Sequence, residues 1–245
     1  MTILISAFAW VPPFAQGYVK DIRPRWALAE AGIDYEVHLL SQGDADAPDY
    51  RSWQPFGQVP AYRDDAVELF ESGAILLRIA ERSAAFRPWD AHEAAQTQAW
   101  VFAALNSVEP KVDALILPGT FHSGEDWVTG YRPHAERLVD LRLGSLGAWL
   151  DGRDWLAERF GVADIAMATV LRGLQDEPVL ARHPVVSAYL ERCLARPAFE
   201  TALAAQLATF AENAPAPDAA HPGRVPSPSP SDQPRPRADP ASRSA

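Results

Sequence analysis

FGQVPAYRDDAVELFESGAILLRIAER, residues 56–82, decides how this chain is read. A Val-Pro pair, Val59 and Pro60, opens a short strand-like run over 60–63. The polar Asp64-Asp65 turn leads to a second run over 67–70, so the two make a hairpin. A helix follows over 71–82, with Ile75, Leu76, Ile79 and Ala80 on one face and Ser72 as the expected N-cap. Proline is tolerated at the first residue of an edge strand, so Pro60 by itself asks for no role beyond that. Its surroundings ask for more.

Upstream, residues 2–10 are β-branched and aromatic enough for a strand, and Pro12 and Pro13 then turn the chain. RPRWALAEAG (23–32) places Trp26, Leu28, Ala29 and Ala31 on a helical face and stops at Gly32, a natural C-terminal cap. Residues 33–40 alternate like a strand, which makes β-α-β with a helix long enough for a parallel crossover. Residues 46–53 read as a loop or short helix. From residue 90 the pattern is helical throughout, over 93–109, 134–150, 163–174, 184–195 and 198–212. The chain thus divides into an α/β part (1–83), a connector broken by Pro88 (84–89) and an all-helical part (90–213). Residues 214–245 are rich in Pro, Ala and Ser and too poor in apolar side chains to order themselves, so a disordered tail is expected there.

The formal net charge of -10 repels nucleic acid and anionic lipid, so neither is expected as a partner. One cysteine, Cys193, excludes an internal disulfide framework or a paired-thiol redox motif; it reads as a small buried hydrophobe in a reducing compartment. The six histidines show no ligand spacing, and no metal is expected. Ala7 and Ala9 mimic a signal-peptide cleavage pattern, but no basic residue precedes the short apolar run, so a buried strand and a cytoplasmic protein are expected. No window approaches the about 20 apolar residues of a membrane-spanning helix.

Val-Pro before a hairpin, then Glu71-Ser72 opening a helix, following a β-α-β half, resembles the glutathione transferase superfamily. RWALAEAGIDYEV, FGQVPAY, LFESGAILLRIAER and FGVADIAMATVL carry the resemblance, which covers roughly residues 1–212. It implies an α/β thioredoxin-like N-terminal domain that binds glutathione, followed by an all-α glutathione transferase C-terminal-like domain. It further implies a cis Val59-Pro60 bond that turns the Val59 main chain toward glutathione's cysteinyl part, like an added strand. Ser72 at the helix tip would take the γ-glutamyl carboxylate with Glu71 beside it, and Gln58 would reach the glycine carboxylate. A homodimer is implied too. In FGVADIAMATVL the family's reciprocal helix cap has Gly161 at the cap position, so Asp164 answers a residue without a side chain and its role is structural.

The sequence departs from the family ahead of the first helix. Where members present Tyr, Ser or Cys followed closely by Pro, this chain has WVPPFAQGYVKDIRPRW (10–26), with no Ser, Thr or Cys between residues 7 and 40. A thiol titrates near about 8.5 and falls to about 3.5–7.5 only beside cations, hydroxyl donors or helix N-termini. Tyr18 is the hydroxyl in the right neighbourhood, Ser6 being inside the strand, and is the candidate catalytic residue; simple packing is its alternative role. Lys20 and Arg23 offer positive potential instead, and residues 11–23 are expected to fold over the site. Trp10, Trp100, Phe102, Trp127 and Tyr131 are candidates to line a pocket for a hydrophobic or disulfide acceptor. The expected activity is thiol transfer to an electrophile, or disulfide reduction. A non-catalytic glutathione binder is the alternative.

Overall fold

The computed structural model describes residues 2–41 and 43–216. β1 (Ile3–Phe8) and β2 (Tyr35–Leu40) pair in parallel, Ile3 opposite Tyr35 and Phe8 opposite Leu40, and α1 (Ile22–Ala31) makes the crossover between them. β3 (Ala61–Arg63) runs antiparallel to β1, and β4 (Glu68–Phe70) closes the sheet in the order β2-β1-β3-β4. α2 (Pro48–Trp53) precedes β3, and α3 (Ser72–Arg82) follows β4. The period of two along β1 divides the sheet's faces. Ile3 and Ile5 point into the main core with Trp26, Leu28, Ile75 and Ile79, while Leu4 and Phe8 join Leu40, Tyr50, Trp53 and Val59 on the other side.

α1 begins at Ile22, one residue ahead of the expected 23, and Gly32 caps its other end in the left-handed region with φ 63°. Pro24 falls in the first turn, where an amide has no intrahelical acceptor, so the helix passes it unkinked.

The helical part comprises α4 (Ala91–Phe102), α5 (Glu109–Phe121), α6 (Asp126–Leu150), α7 (Val162–Leu171), α8 (Pro178–Ala181), α9 (Pro184–Leu194) and α10 (Pro197–Glu212). The single helix expected over 93–109 is instead α4, a π-helical stretch (Ala103–Val108) and the start of α5. Pro110, in the first turn of α5, can neither donate to nor pack against the preceding carbonyls as α-helix geometry requires, and the wider turn absorbs it. α5 itself escaped the periodicity reading because Pro110, Pro118 and Gly119 resemble loop punctuation. α7 is buried almost all round and shares one continuous core with α1, α3, α5 and α9.

Among the described residues no helix is long and apolar enough to cross a membrane, and no group of His, Cys, Asp and Glu is placed to hold a metal ion. The expected disordered tail, 214–245, lies outside the described residues from 217 onward.

Candidate active site between the cis-proline loop and the tip of α3

The Val59-Pro60 peptide bond is cis. The loop ahead of it is braced from within: buried Gln54 accepts through Oε1 from the amides of Phe56 (2.7 Å) and Gln58 (3.2 Å). From outside, a hydrogen-bond relay fixes the Gln58 carbonyl. The Ala61 amide donates to Ser6 Oγ (2.7 Å), Ser6 meets the Tyr50 hydroxyl (2.7 Å), and Tyr50 donates to Gln58 O (2.5 Å). With the phenol proton committed to the carbonyl, Ser6 is the donor to Tyr50, so every member is satisfied. The main-chain N–H and C=O of Val59 carry no hydrogen bond among the described residues.

Gly57 lets the loop close. Its φ is +64°, and a Cβ there would sit 2.7 Å from the Ala45 carbonyl oxygen and 2.8 Å from Arg51 Cζ. Gly57→Ala is therefore expected to lower the unfolding free energy by about 1–3 kcal/mol, combining the left-handed penalty with a clash against backbone that has no room to move. Urea denaturation of the two proteins measures it.

At the other side of the site, Glu71 rather than Ser72 is the N-cap of α3, with φ 70° and ψ 116°. The expected cap at Ser72 is thus corrected. The chain enters α3 through a left-handed turn at Glu71, which places Ser72 at the first helical position, where its hydroxyl cannot reach the helix's own free amides. That hydroxyl instead accepts from Arg23 Nη1 (2.9 Å). Arg23 is buried; its Nε donates to Thr169 Oγ1 (2.9 Å) and its Nη2 to Glu109 Oε1 (2.6 Å), which Lys20 also approaches (3.2 Å). One guanidinium therefore ties α1 to α3, α5 and α7. Glu109 is held below the usual carboxylate range by Arg23 and Lys20, which outweigh the opposing effect of its burial. Lys20 and Arg23 thus place two cations at this corner beside the positive end of α3, with the carboxylates of Glu109 and Glu71 lining the same cavity.

A cavity of about 440 Å³ lies between the loop and this helix tip. Gln58, Val59, Pro60, Glu71 and Ser72 all line it, together with Phe102 from α4, so every residue proposed for the glutathione contacts meets in one place. A second cavity, about 610 Å³, adjoins it and shares Lys20, Arg23 and Glu109 as a common wall. Tyr18 lines the second cavity and not the first. Trp10, Trp100, Trp127 and Tyr131 line neither. Trp100 packs on Trp149 across the helical part with centroids 5.1 Å apart, and Trp127, itself exposed, meets Tyr131 one turn along α6 at 6.2 Å.

The family model for the glutathione S-transferase N-terminal domain matches residues 17–81, which span this loop and helix tip. Across the longer chain, glutathione S-transferase 3 of Zea mays is 31% identical over 198 residues, 75% of this chain and 88% of that one. The chain belongs to the glutathione S-transferase superfamily. This superfamily member is also 29% identical over 192 residues to the disulfide-bond oxidoreductase YfcG of Escherichia coli, covering 72% of this chain and 86% of that one. Among solved structures it resembles a glutathione transferase from Pseudomonas putida with one glutathione disulfide bound per subunit (25% identity, TM-score 0.72, 82% of this chain and 90% of that one). It also resembles one from Burkholderia graminis with two glutathione molecules bound per subunit (26% identity, TM-score 0.72, 82% and 87%).

The segment expected to fold over the site, 11–23, is held down in this family member from below. Arg172 Nη1 donates to Gly17 O (2.7 Å) and Gln206 Nε2 to Val19 O (3.1 Å), which brings Phe14 and Tyr18 to the second cavity's wall. Thr169 and Arg172, which reading the sequence did not single out, come from the same buried helix and the turn after it. The available signal was a charged residue, Arg172, directly after the largely apolar run IAMATVL.

Proposed function

We propose that this protein binds glutathione in the first cavity and holds its thiol as thiolate for attack on an acceptor in the second. The observation that carries the reading is the pairing, across one cavity, of an unbonded Val59 main chain with the free amides at the start of α3. The first suits an extended cysteinyl backbone and the second a carboxylate. The glutathione-bound neighbours and the named transferases support it.

For the thiol-activating group the geometry favours Lys20 over Tyr18. Lys20 stands on the wall common to both cavities, where sulfur and acceptor would meet, whereas Tyr18 lines the second cavity alone. With an aryl halide the thiolate forms the carbon–sulfur bond and halide departs. With a disulfide it forms a mixed disulfide and releases the other sulfur as thiolate, and a second glutathione completes the exchange. The chain's one cysteine, Cys193, is buried in α9 and its thiol is pushed well up by burial, so the exchange runs on glutathione's sulfur alone. The E. coli relative's name favours including the disulfide acceptor.

Ultraviolet titration of the thiolate band of bound glutathione tests activation directly. Lys20→Met is expected to raise the bound thiol's pKa by about one unit, the effect of one partly exposed positive charge a few ångströms away. A bound thiol that titrates as in free solution makes the protein a binder instead. Assembly as a homodimer belongs to the same proposal.

A further inference from the structure

Arg172 is a buried charge without a counter-ion. It is 7% exposed, it donates once through Nη1 to the Gly17 carbonyl, and it forms no ion pair with any carboxylate among the described residues. Its guanidinium carbon lies over two rings, 4.8 Å from the Tyr18 centroid and 5.0 Å from that of Phe199. The remaining donors, Nε and Nη2, have no partner and are not sealed inside protein, and the residue lines the second cavity. Buried ions in folded proteins are paired, and a planar fork with one open edge matches a carboxylate.

The other charges on that cavity are spoken for or peripheral. Glu109 is bound by Arg23 and Lys20, and Glu177 by Arg132. Asp176 is exposed. Asp113 is unpartnered, but burial and the nearby Glu109 push its carboxyl up, toward the neutral acid. Apart from Thr120 and Thr169, most of the remaining wall is apolar: Phe14 and Phe121 meet edge to face at 5.6 Å, both more than half exposed, and Ile116 and Val112 line the same cavity.

We propose that this cavity takes an amphipathic carboxylate, its acid group on the open edge of Arg172 and its apolar body against Phe14, Ile116 and Phe121. The proposal rests on reading the second cavity as the acceptor's place, and it narrows the acceptor to electrophiles carrying an acid group.

Calorimetric titration with 4-phenylbutanoate and with its uncharged analogue 4-phenylbutanamide tests it without any need for thiol activation. The acid is expected to bind the wild-type protein at least tenfold more tightly than the amide, and Arg172→Gln to erase that preference. Ile116→Trp, which fills the cavity and leaves the charge in place, is expected to abolish binding of the acid and decides the matter if Arg172→Gln does not fold. Equal binding of acid and amide, a preference that survives Arg172→Gln, or acid binding that survives Ile116→Trp overturns the proposal. So does a glutathione stoichiometry of two that falls to one in Arg172→Gln, since the carboxylate would then belong to a second glutathione. A glutathione titration on the same proteins reads the first cavity separately, so its failure is distinguishable from failure at Arg172.

Discussion

Arg23→Met is expected to lower folding stability by about 3–5 kcal/mol and to weaken glutathione binding by more than tenfold. Its guanidinium donates at once to Thr169, Ser72 and Glu109, and is 3% exposed. Removing one partner of a buried ion pair leaves the other carboxylate desolvated, and that penalty exceeds the net worth of the bond itself. Lys20 remains near Glu109, but its own side chain is half-exposed and does not replace a buried bond. The loss of binding follows because the Ser72 hydroxyl is no longer oriented and a positive charge has left the corner of the cavity. Urea denaturation and calorimetry read the two effects. Adding Glu109→Gln to Arg23→Met should recover about 1–3 kcal/mol of the stability, since the orphaned charge is then gone. It should recover only part of the glutathione affinity, because removing the Glu109 charge restores the net charge of the corner but the donor to Ser72 does not return. Equal stability of the single and double variants would show that the pair is not the unit described.

Asp164→Ala is expected to cost a further class of stability, about 3–5 kcal/mol, with no direct effect at the site. The carboxylate is 1% exposed and accepts from the Gly161 amide (2.9 Å), the Leu156 amide (3.0 Å) and the Tyr189 hydroxyl (2.8 Å). Gly161 offers no side chain in return, so the cap of α7 rests on Asp164 alone. Because α7 lies against α1 and carries Thr169, the loss unmoors the helix on which Arg23 leans.

Burial pushes the Asp164 carboxyl from its ordinary 3.8 up to about 6, and its three donors pull the other way. A folded-state value above the unfolded one means that the folded chain binds the proton more tightly. The carboxyl's contribution is then whole below about pH 4 and is lost as pH rises through about 6, a change of about 3 kcal/mol at 1.36 kcal/mol per unit. Asp164→Asn should remove that slope from a series of urea titrations between pH 4 and 7.

Much of this was legible in the sequence because the α/β half obeys simple periods. β-branched and aromatic content marked β1, alternation marked β2, Gly32 marked the end of α1, and Val59-Pro60 followed by Glu71-Ser72 marked both sides of the first cavity. What escaped was set by partners distant in sequence. Ser72 looked like a cap because Ser at a helix start usually is one; the left-handed Glu71 and the reach of Arg23 from α1 made it an acceptor instead. Tyr18 was the one hydroxyl near the right position along the chain, but Arg172, 154 positions downstream, anchors the neighbouring Gly17 carbonyl and draws that segment toward the second cavity. Trp100 and Trp127 carried the same ambiguity as any aromatic on an amphipathic helix. Only packing separates a ring that lines a cavity, such as Phe102, from one that meets another ring.

Calorimetric titration of glutathione into the wild-type protein and into Ser72→Ala is the most direct test of the first cavity. Binding with one site per chain is expected, weakened in the variant by about 1–3 kcal/mol, or roughly 5- to 150-fold, as one hydroxyl and its link to Arg23 are lost from a charged ligand. No heat of binding at millimolar glutathione, or the same affinity in both proteins, would contradict the account.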